Sequence, residues 1–296
     1  MLNVYEQVDS NKKKSVIVII GFIVFVVLIS WLLATVLDYG LFGVGLALII
    51  AGLTSFFSYF WSDKIILKIS GARPASRKKD FLFFTVVENL SMAAQISMPK
   101  LYLIEDSAMN AFATGRDPDH AVVCLTTGLL NKLNRTELEG VVGHELSHIK
   151  NYDIRLMSLV TVLVGVVTLL ADWLLRSIRG RRGRKKDGGS LLIIAIVLSL
   201  LSPLIARLIK LAISRRREFL ADAGSVMITR QPSGLITALE KLAADKEPLE
   251  AANKATAHLY IANPLKNVHQ GIGWFASFFN THPPIEKRIE NLKRMT

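Results

Sequence analysis

Positions 144, 145 and 148 carry histidine, glutamate and histidine in the run Val142-Gly143-His144-Glu145-Leu146-Ser147-His148, which reads H-E-x-x-H. On an α-helix, residues four apart stand on one face about one turn apart, so both imidazoles reach a single ion while Glu145 flanks them. The chemistry such a group performs is hydrolysis by metal-activated water. Zinc lowers the pKa of a bound water toward roughly 7, and a carboxylate beside it takes the proton as the water attacks a carbonyl. The motif also arises by chance, on amphipathic helices with two surface histidines and a solvated glutamate, so its weight rests on what accompanies it.

One companion is a second pair of carboxylates. In Arg215-Arg216-Arg217-Glu218-Phe219-Leu220-Ala221-Asp222, Glu218 and Asp222 are four apart and project from one face of a continuing helix. A site of two histidines and a glutamate needs such a third ligand. Asp222 is then placed to accept from the free ring N–H of a ligating histidine and fix its tautomer. Alone, the two acids read as solvated charges paired with Arg215 or Arg216; the upstream motif favours ligation. Cys124 is the only cysteine, which excludes an intramolecular disulfide and a cysteine-based zinc site. His282 has two readings, a donor to the developing oxyanion of a tetrahedral intermediate or a turn histidine before two prolines. Arg288 likewise braces the site by pairing with a carboxylate or is a surface charge. His120, His258 and His269 have no spacing partners and receive no role.

The elements that position these residues follow from patterning. Thr136 and Glu139 form a capping box, so the signature helix is expected to start there and run to about Asn151, with Leu138, Val142, Leu146 and Ile149 as its apolar stripe. This leaves His144 and His148 beside the stripe, bordering a cleft. Upstream, Phe81 to Met98 has helical periodicity, with Phe84, Val87, Leu90 and Ala94 on one side and Pro99 as its stop. Strands are expected at Leu101–Ile104 and Ala121–Thr126. A strand from about Asn110 to Thr114, through Asn110, Ala111, Phe112 and Ala113, pairs with the latter across the turn at Asp117-Pro118-Asp119. Its exposed edge either holds a peptide by main-chain hydrogen bonds or is merely structural. Downstream, Gly234 to Ala244 carries Leu235, Leu239 and Leu242 at core spacing, and Pro284 to Lys293 opens a last helix with Glu286 in its first turn.

Composition sets the class. Of 296 residues, 51% are hydrophobic and the mean hydropathy is +0.38, too apolar for a soluble enzyme and indicative of a membrane protein with a modest soluble portion. The net charge of +12 and pI near 9.8 read as juxtamembrane Lys and Arg rather than a nucleic-acid surface. Lys12-Lys13-Lys14 is followed by 23 uncharged residues, Ser15 to Leu37, and after Asp38 by 24 more, Tyr39 to Ser62. Each is long enough to span a bilayer, and the first, lacking a cleavage site, is a retained anchor. Basic residues flank the pair on both outer sides, so both ends face the cytoplasm. Two shorter apolar runs, Leu156–Ala171 and Leu191–Ala206, each cover about 24 Å as helix against a hydrocarbon core of about 30 Å. The strongly basic link between them conflicts with crossing, so the pair either crosses or dips into the cytoplasmic leaflet; both return the chain to the same side. The expected division is residues 1–14 as a cytoplasmic N-terminus, 15–62 as a transmembrane helical hairpin, 63–153 as the first catalytic part, 154–213 as the second hydrophobic hairpin, and 214–296 as the second catalytic part.

H-E-x-x-H, Arg-Glu-Phe-x-Ala-Asp at 217–222, Asn-Ala-Phe-Ala-Thr-Gly at 110–115 and Thr281-His282-Pro283-Pro284-Ile285-Glu286-Lys287-Arg288-Ile289 together resemble the HtpX heat-shock membrane zinc metalloproteases, relatives of the CAAX prenyl endopeptidases. The likeness covers nearly the whole chain, including the order of the motifs and hydrophobic pairs; Leu220 stands where relatives often carry a polar or aromatic residue. It implies one zinc ion per chain on His144, His148 and Glu218, Glu145 as general base and acid, and cleavage of misfolded or damaged membrane proteins under stress. It also favours the substrate-binding reading of Asn110 to Ala113. The expected fold is a mainly α membrane protein, transmembrane helices plus a zincin-like (gluzincin) cytoplasmic catalytic domain with a small β-sheet. The expected location is the bacterial inner membrane, with polypeptide substrates and the lipid bilayer as partners, no nucleic acid, and no implied oligomeric state. Two other classes compete: a non-proteolytic zinc hydrolase of lipids or small amides, and a membrane scaffold or transporter with an incidental H-E-x-x-H. The absence of ionisable residues from the first two spans weighs against transport.

Overall fold

A computed structural model describes residues 4–37, 40–180, 208, 214–245, 247–250, 256–262 and 283–295. Two long helices, α1 (Val4–Leu37) and α2 (Gly40–Ile69), pack on each other as a hairpin. Helix α1 starts well before the first uncharged run and carries Lys12 to Lys14 within it, so the expected N-terminal tail is mostly helix. Asn11, Ser15, Val18 and Phe22 are buried at helical spacing, giving one face that packs inward through the charged turns. Among the described residues no single helix is long and apolar enough to cross a membrane.

A mixed four-stranded sheet has the order β1-β2-β4-β3, from β1 (Arg73–Pro74), β2 (Lys100–Ile104), β3 (Ala111–Gly115) and β4 (Ala121–Thr126). β2 and β4 run parallel, while β3 turns back antiparallel on β4 with Phe112 opposite Cys124 and Ala113 opposite Val123. The expected hairpin is present, with β3 as an outer strand. Helix α3 (Phe81–Ala94) ends four residues before the expected Met98. Gln95, at φ 57°, turns the chain left-handed, and Gln95 and Ile96 N–H donate to the carbonyls of Met92 and Ser91, closing the helix ahead of Pro99.

After the short α4 (Thr127–Lys132) comes the central helix α5 (Arg135–Lys150). Its cap is Asn134, not Thr136. The Asn134 side chain accepts from Glu137 N–H at 3.0 Å, and the Glu137 carboxylate accepts from Asn134 N–H at 2.8 Å. Glu137 also holds Lys241 at 2.7 Å, and this pairing favours the earlier start over Thr136 and Glu139. The expected stripe of Leu138, Val142, Leu146 and Ile149 is wholly buried, but Glu137 and every residue from Gly140 to Ile149 are buried with it, and only the two ends of the helix reach the surface.

Tyr152, at φ 58°, ends α5, and α6 (Asp153–Gly180) leaves at 84° to it. The first turns of α6 are buried against α1, α2 and β3. The expected second apolar run, Leu191–Ala206, lies outside the described residues. Helices α7 (Arg215–Thr229) and α8 (Pro232–Ala244) flank α5, and α9 (Ile285–Lys293) closes over both. The crossing is tight because α5 offers glycines. A Cβ at Gly140 would sit 2.5 Å from the backbone nitrogen of Leu235, and one at Gly143 would sit 2.9 Å from Ser225 Oγ. Ser225 Oγ in turn donates to the Gly140 carbonyl at 2.7 Å. Gly140→Ala therefore has to push α8 away, and we expect a loss of about 1–3 kcal/mol, measured as a lowered midpoint of thermal or denaturant unfolding; an unchanged midpoint would refute the close packing.

Candidate active site

Helix α5 presents His144 and His148 with ring centroids 4.7 Å apart and planes at 89°. Their Nε2 atoms are 3.2 Å apart. Helix α7 brings Glu218 across, with Oε2 3.8 Å from His144 Nε2 and Oε1 3.6 Å from His148 Nε2. One donor atom from each residue lies within 4.8 Å of the others. Ligands about 2.0–2.1 Å from a tetrahedral zinc are separated by about 3.3 Å, so the cluster is sized for one such ion.

The reverse side of each ring decides what the front side does. His144 Nδ1 is 3.0 Å from Asp222 Oδ1, and His148 Nδ1 is 3.0 Å from Asp153 Oδ2. Carboxylate oxygens only accept, so each Nδ1 carries a proton and donates it. In the neutral tautomers both Nε2 atoms then turn lone pairs toward one another inside the protein. A cation between them removes that repulsion, and the residues fit zinc.

Asp222 is fixed from its other side by Arg288, whose Nη2 and Nε donate to it at 2.6 and 3.0 Å. Arg288 is fully buried, so of its two readings the structure selects the brace. Its Nη2 also lies 3.3 Å from His144 Nδ1, and its Nη1 donates to the Ile261 carbonyl at 3.3 Å. Asp153 has a comparable set of neighbours. Its Oδ1 accepts from Asn11 Nδ2 at 2.7 Å and lies 3.4 Å from Arg217 Nε. Sequence spacing singled out neither Asp153 nor Asn11.

Charge explains the proton affinities of the metal-free site. Burial and the nearby Arg288 guanidinium push His144 down to about 4. Burial also disfavours the imidazolium of His148, but the Asp153 hydrogen bond and the charges of Glu218, Asp153 and Glu145 outweigh it and raise the group to about 9. Burial, with Glu218 adding to it, raises Glu145 to about 7. Asp222, although desolvated, is held below the usual carboxylate range by Arg288 and His144. Glu145, Asp153, Glu218 and Asp222 are buried acids facing the buried guanidiniums Arg217 and Arg288. A dication balances the excess of negative charge; without one, His148 and Glu145 reach the same balance by holding protons.

The Ala113 backbone on β3 lies close enough to Glu145 to favour its ionised form, against the burial that raises it. Ile261 N–H donates to the Ala111 carbonyl at 3.0 Å, and Gly115 N–H donates to Ser158 Oγ at 3.1 Å. Ala111, Ala113 and Gly115 thus turn backbone groups away from β4, by the alternation of an antiparallel pair. The Asn110 side chain holds the chain's own Ala262, donating to its carbonyl at 3.0 Å and accepting from its N–H at 3.3 Å. Phe112 packs edge-on against Tyr260 in the core, with centroids 5.3 Å apart. Of the expected substrate residues, then, Ala111 and Ala113 turn backbone groups to the outer edge, while the Asn110 side chain contacts Ala262 and the Phe112 ring contacts Tyr260. His282 lies outside the described residues.

A model of peptidase family M48 matches residues 83–296. The "Protease HtpX homolog" of Dictyoglomus thermophilum is 44% identical over 292 residues, covering 98% of this chain and 94% of that one. The chain belongs to peptidase family M48, among the HtpX proteases. Homologs from Thermoanaerobacter pseudethanolicus, at 43% identity over 299 residues, and Streptococcus uberis, at 42% over 300, cover 99% and 98% of this chain and 98% and 99% of their own. Among solved structures, that of S. mikatae Ste24p is similar at a TM-score of 0.49 and 18% identity, covering 89% of this chain and 62% of that one. The chain is a zinc metallopeptidase, with His144, His148 and Glu218 as its zinc-binding triad. An incidental H-E-x-x-H on a scaffold does not account for three converging buried donors.

Zinc uptake must displace the protons that balance the empty charge. At pH 7.5, calorimetry in buffers of different ionisation enthalpy should show release of about one to two protons per ion, with affinity rising from pH 6.5 toward 9 as His148 becomes easier to deprotonate. A buffer-independent heat would contradict the assignment.

Proposed function

We propose that this chain is a membrane-anchored zinc endopeptidase that cleaves misfolded or damaged membrane proteins at the cytoplasmic face. The observation that carries the hydrolytic part is the buried triad with Glu145 beside it. Zinc held there supplies a Lewis acid and brings the pKa of a water toward about 7. Glu145 takes the proton from the attacking water and later passes it to the leaving amine. A cation's charge offsets the burial that raises Glu145, leaving it ionised for the first of these steps. Asp222 and Asp153 keep the two imidazoles in the ligating tautomer throughout.

The outer edge of β3 supports an extended polypeptide substrate. Ala113 is beside Glu145, and pairing there reads main chain rather than side chains, which suits unfolded segments of any sequence. His144, His148, Glu145 and Glu218 are at most 5% exposed, and the segment Thr256–Ala262 sits on the Ala111 end of that edge. In this reading a substrate enters as that segment moves off β3.

The anchor is residues 15–62. Ile17, Ile20 and Leu28 on α1 and Ile49, Ile50 and Leu53 on α2 are all more than half exposed, a surface that hydrocarbon suits and water does not. Basic residues at the outer ends of the pair favour a cytoplasmic catalytic part built from 63–153 and 214–296, with 154–213 as a second hydrophobic pair. Glu145→Gln should bind zinc at near wild-type stoichiometry and lose cleavage of a denatured protein by about 100- to 10,000-fold, the range for a general base. Retained chelator-sensitive cleavage in that variant would sink the mechanism.

A further inference from the structure

The zinc ligand His148 takes its orientation from Asp153, and Asp153 takes its own from a residue on the first helix of the chain. Asn11 is fully buried, as is Asp153 at 1% exposure. Its side-chain nitrogen donates to Asp153 Oδ1 at 2.7 Å and to the Asn151 carbonyl, at the end of α5, at 2.9 Å. Its side-chain oxygen accepts from Arg217 Nη1 at 3.4 Å, and Arg217 directly precedes the ligand Glu218. A side-chain amide has two donor hydrogens and one acceptor oxygen, and Asn11 directs them to the end of α5, the start of α6 and the first turn of α7, so that it touches both ligand-bearing helices and the carboxylate behind His148.

We propose that Asn11 is a positioning residue for the metal centre, holding Asp153 so that His148 keeps its ligating tautomer and direction, and thereby making α1 part of the zinc site as well as an anchor. This rests on the zinc triad and adds a contributor from outside the matched family region, which begins at residue 83. A hydrogen bond that only stabilised helix packing would serve equally well between α1 and any part of α6. Here it falls on the carboxylate that, among the described residues, binds His148 Nδ1. Lys12, one residue on, lies 4.6 Å over the ring of Tyr152, so the same turn of α1 also clasps the bend between α5 and α6. Neither alanine nor aspartate reproduces the contact. Alanine leaves Asp153 Oδ1 without its shortest donor, and aspartate sets an oxygen against it.

The test is zinc affinity of the purified full-length chain, by competition with a chromogenic chelator, alongside the melting temperature of the metal-free protein. Asn11→Asp keeps the shape of the side chain and should weaken zinc binding by about tenfold, the lower end for outer partners of a metal ligand; Asn11→Ala should show a loss of the same kind. In an Asp153→Asn background, Asn11→Ala should cost little further affinity, because its route to the ligand is already cut. Wild-type affinity in either folded Asn11 variant, whatever its melting temperature, or equal losses in both backgrounds, would overturn the proposal. Failure of the wild-type chain to bind zinc would instead refute the triad itself.

Discussion

Two imidazoles with their Nε2 atoms 3.2 Å apart in the buried interior are mutually repulsive unless a metal ion or a proton stands between them, and most of the described structure serves to hold them so. Their tautomers are set from behind by Asp222 and Asp153. Those carboxylates are themselves too costly to bury alone, which calls for Arg288 on one side and Asn11 with Arg217 on the other. Each further residue satisfies a demand created by the one before it. The result is a cluster in which metal and protons are alternative ways of reaching one charge balance.

The packing of α5 answers the same demand. A helix that carries two ligands and a base must be covered on every side if its charges are to act in a low dielectric. Gly140 and Gly143 let α8 and α7 approach close enough to do this, which also brings Glu218 within reach of both histidines. The sheet contributes from the remaining side, where the Ala113 backbone lies beside Glu145.

What the sequence revealed of this site follows from how local each relation is. His144, Glu145 and His148 share one helical turn, and Glu218 and Asp222 share another, so spacing alone declared which faces they occupy. Strands β2, β3 and β4 and the α8 core positions were legible for the same reason, whereas the two-residue β1 left no pattern to read. Asp153 was not, because its approach to His148 depends on the 84° bend at Tyr152, which no spacing rule contains. Asn11 was hidden by its position, among lysines at the edge of a hydrophobic run, where a polar residue usually faces water. Arg288 remained ambiguous because burial, not sequence, separates a brace from a surface charge. At the start of α5 two overlapping capping boxes competed, and Asn134 prevailed through a contact between Glu137 and Lys241 that is distant in the chain.

Arg288 follows every other member of the site in chain order, while Asn11 precedes them all. A ribosome delivering this chain therefore places the first helix early and releases the last brace late, after both ligand helices have been made. Until α9 docks, Asp222 lacks the guanidinium that holds it against His144.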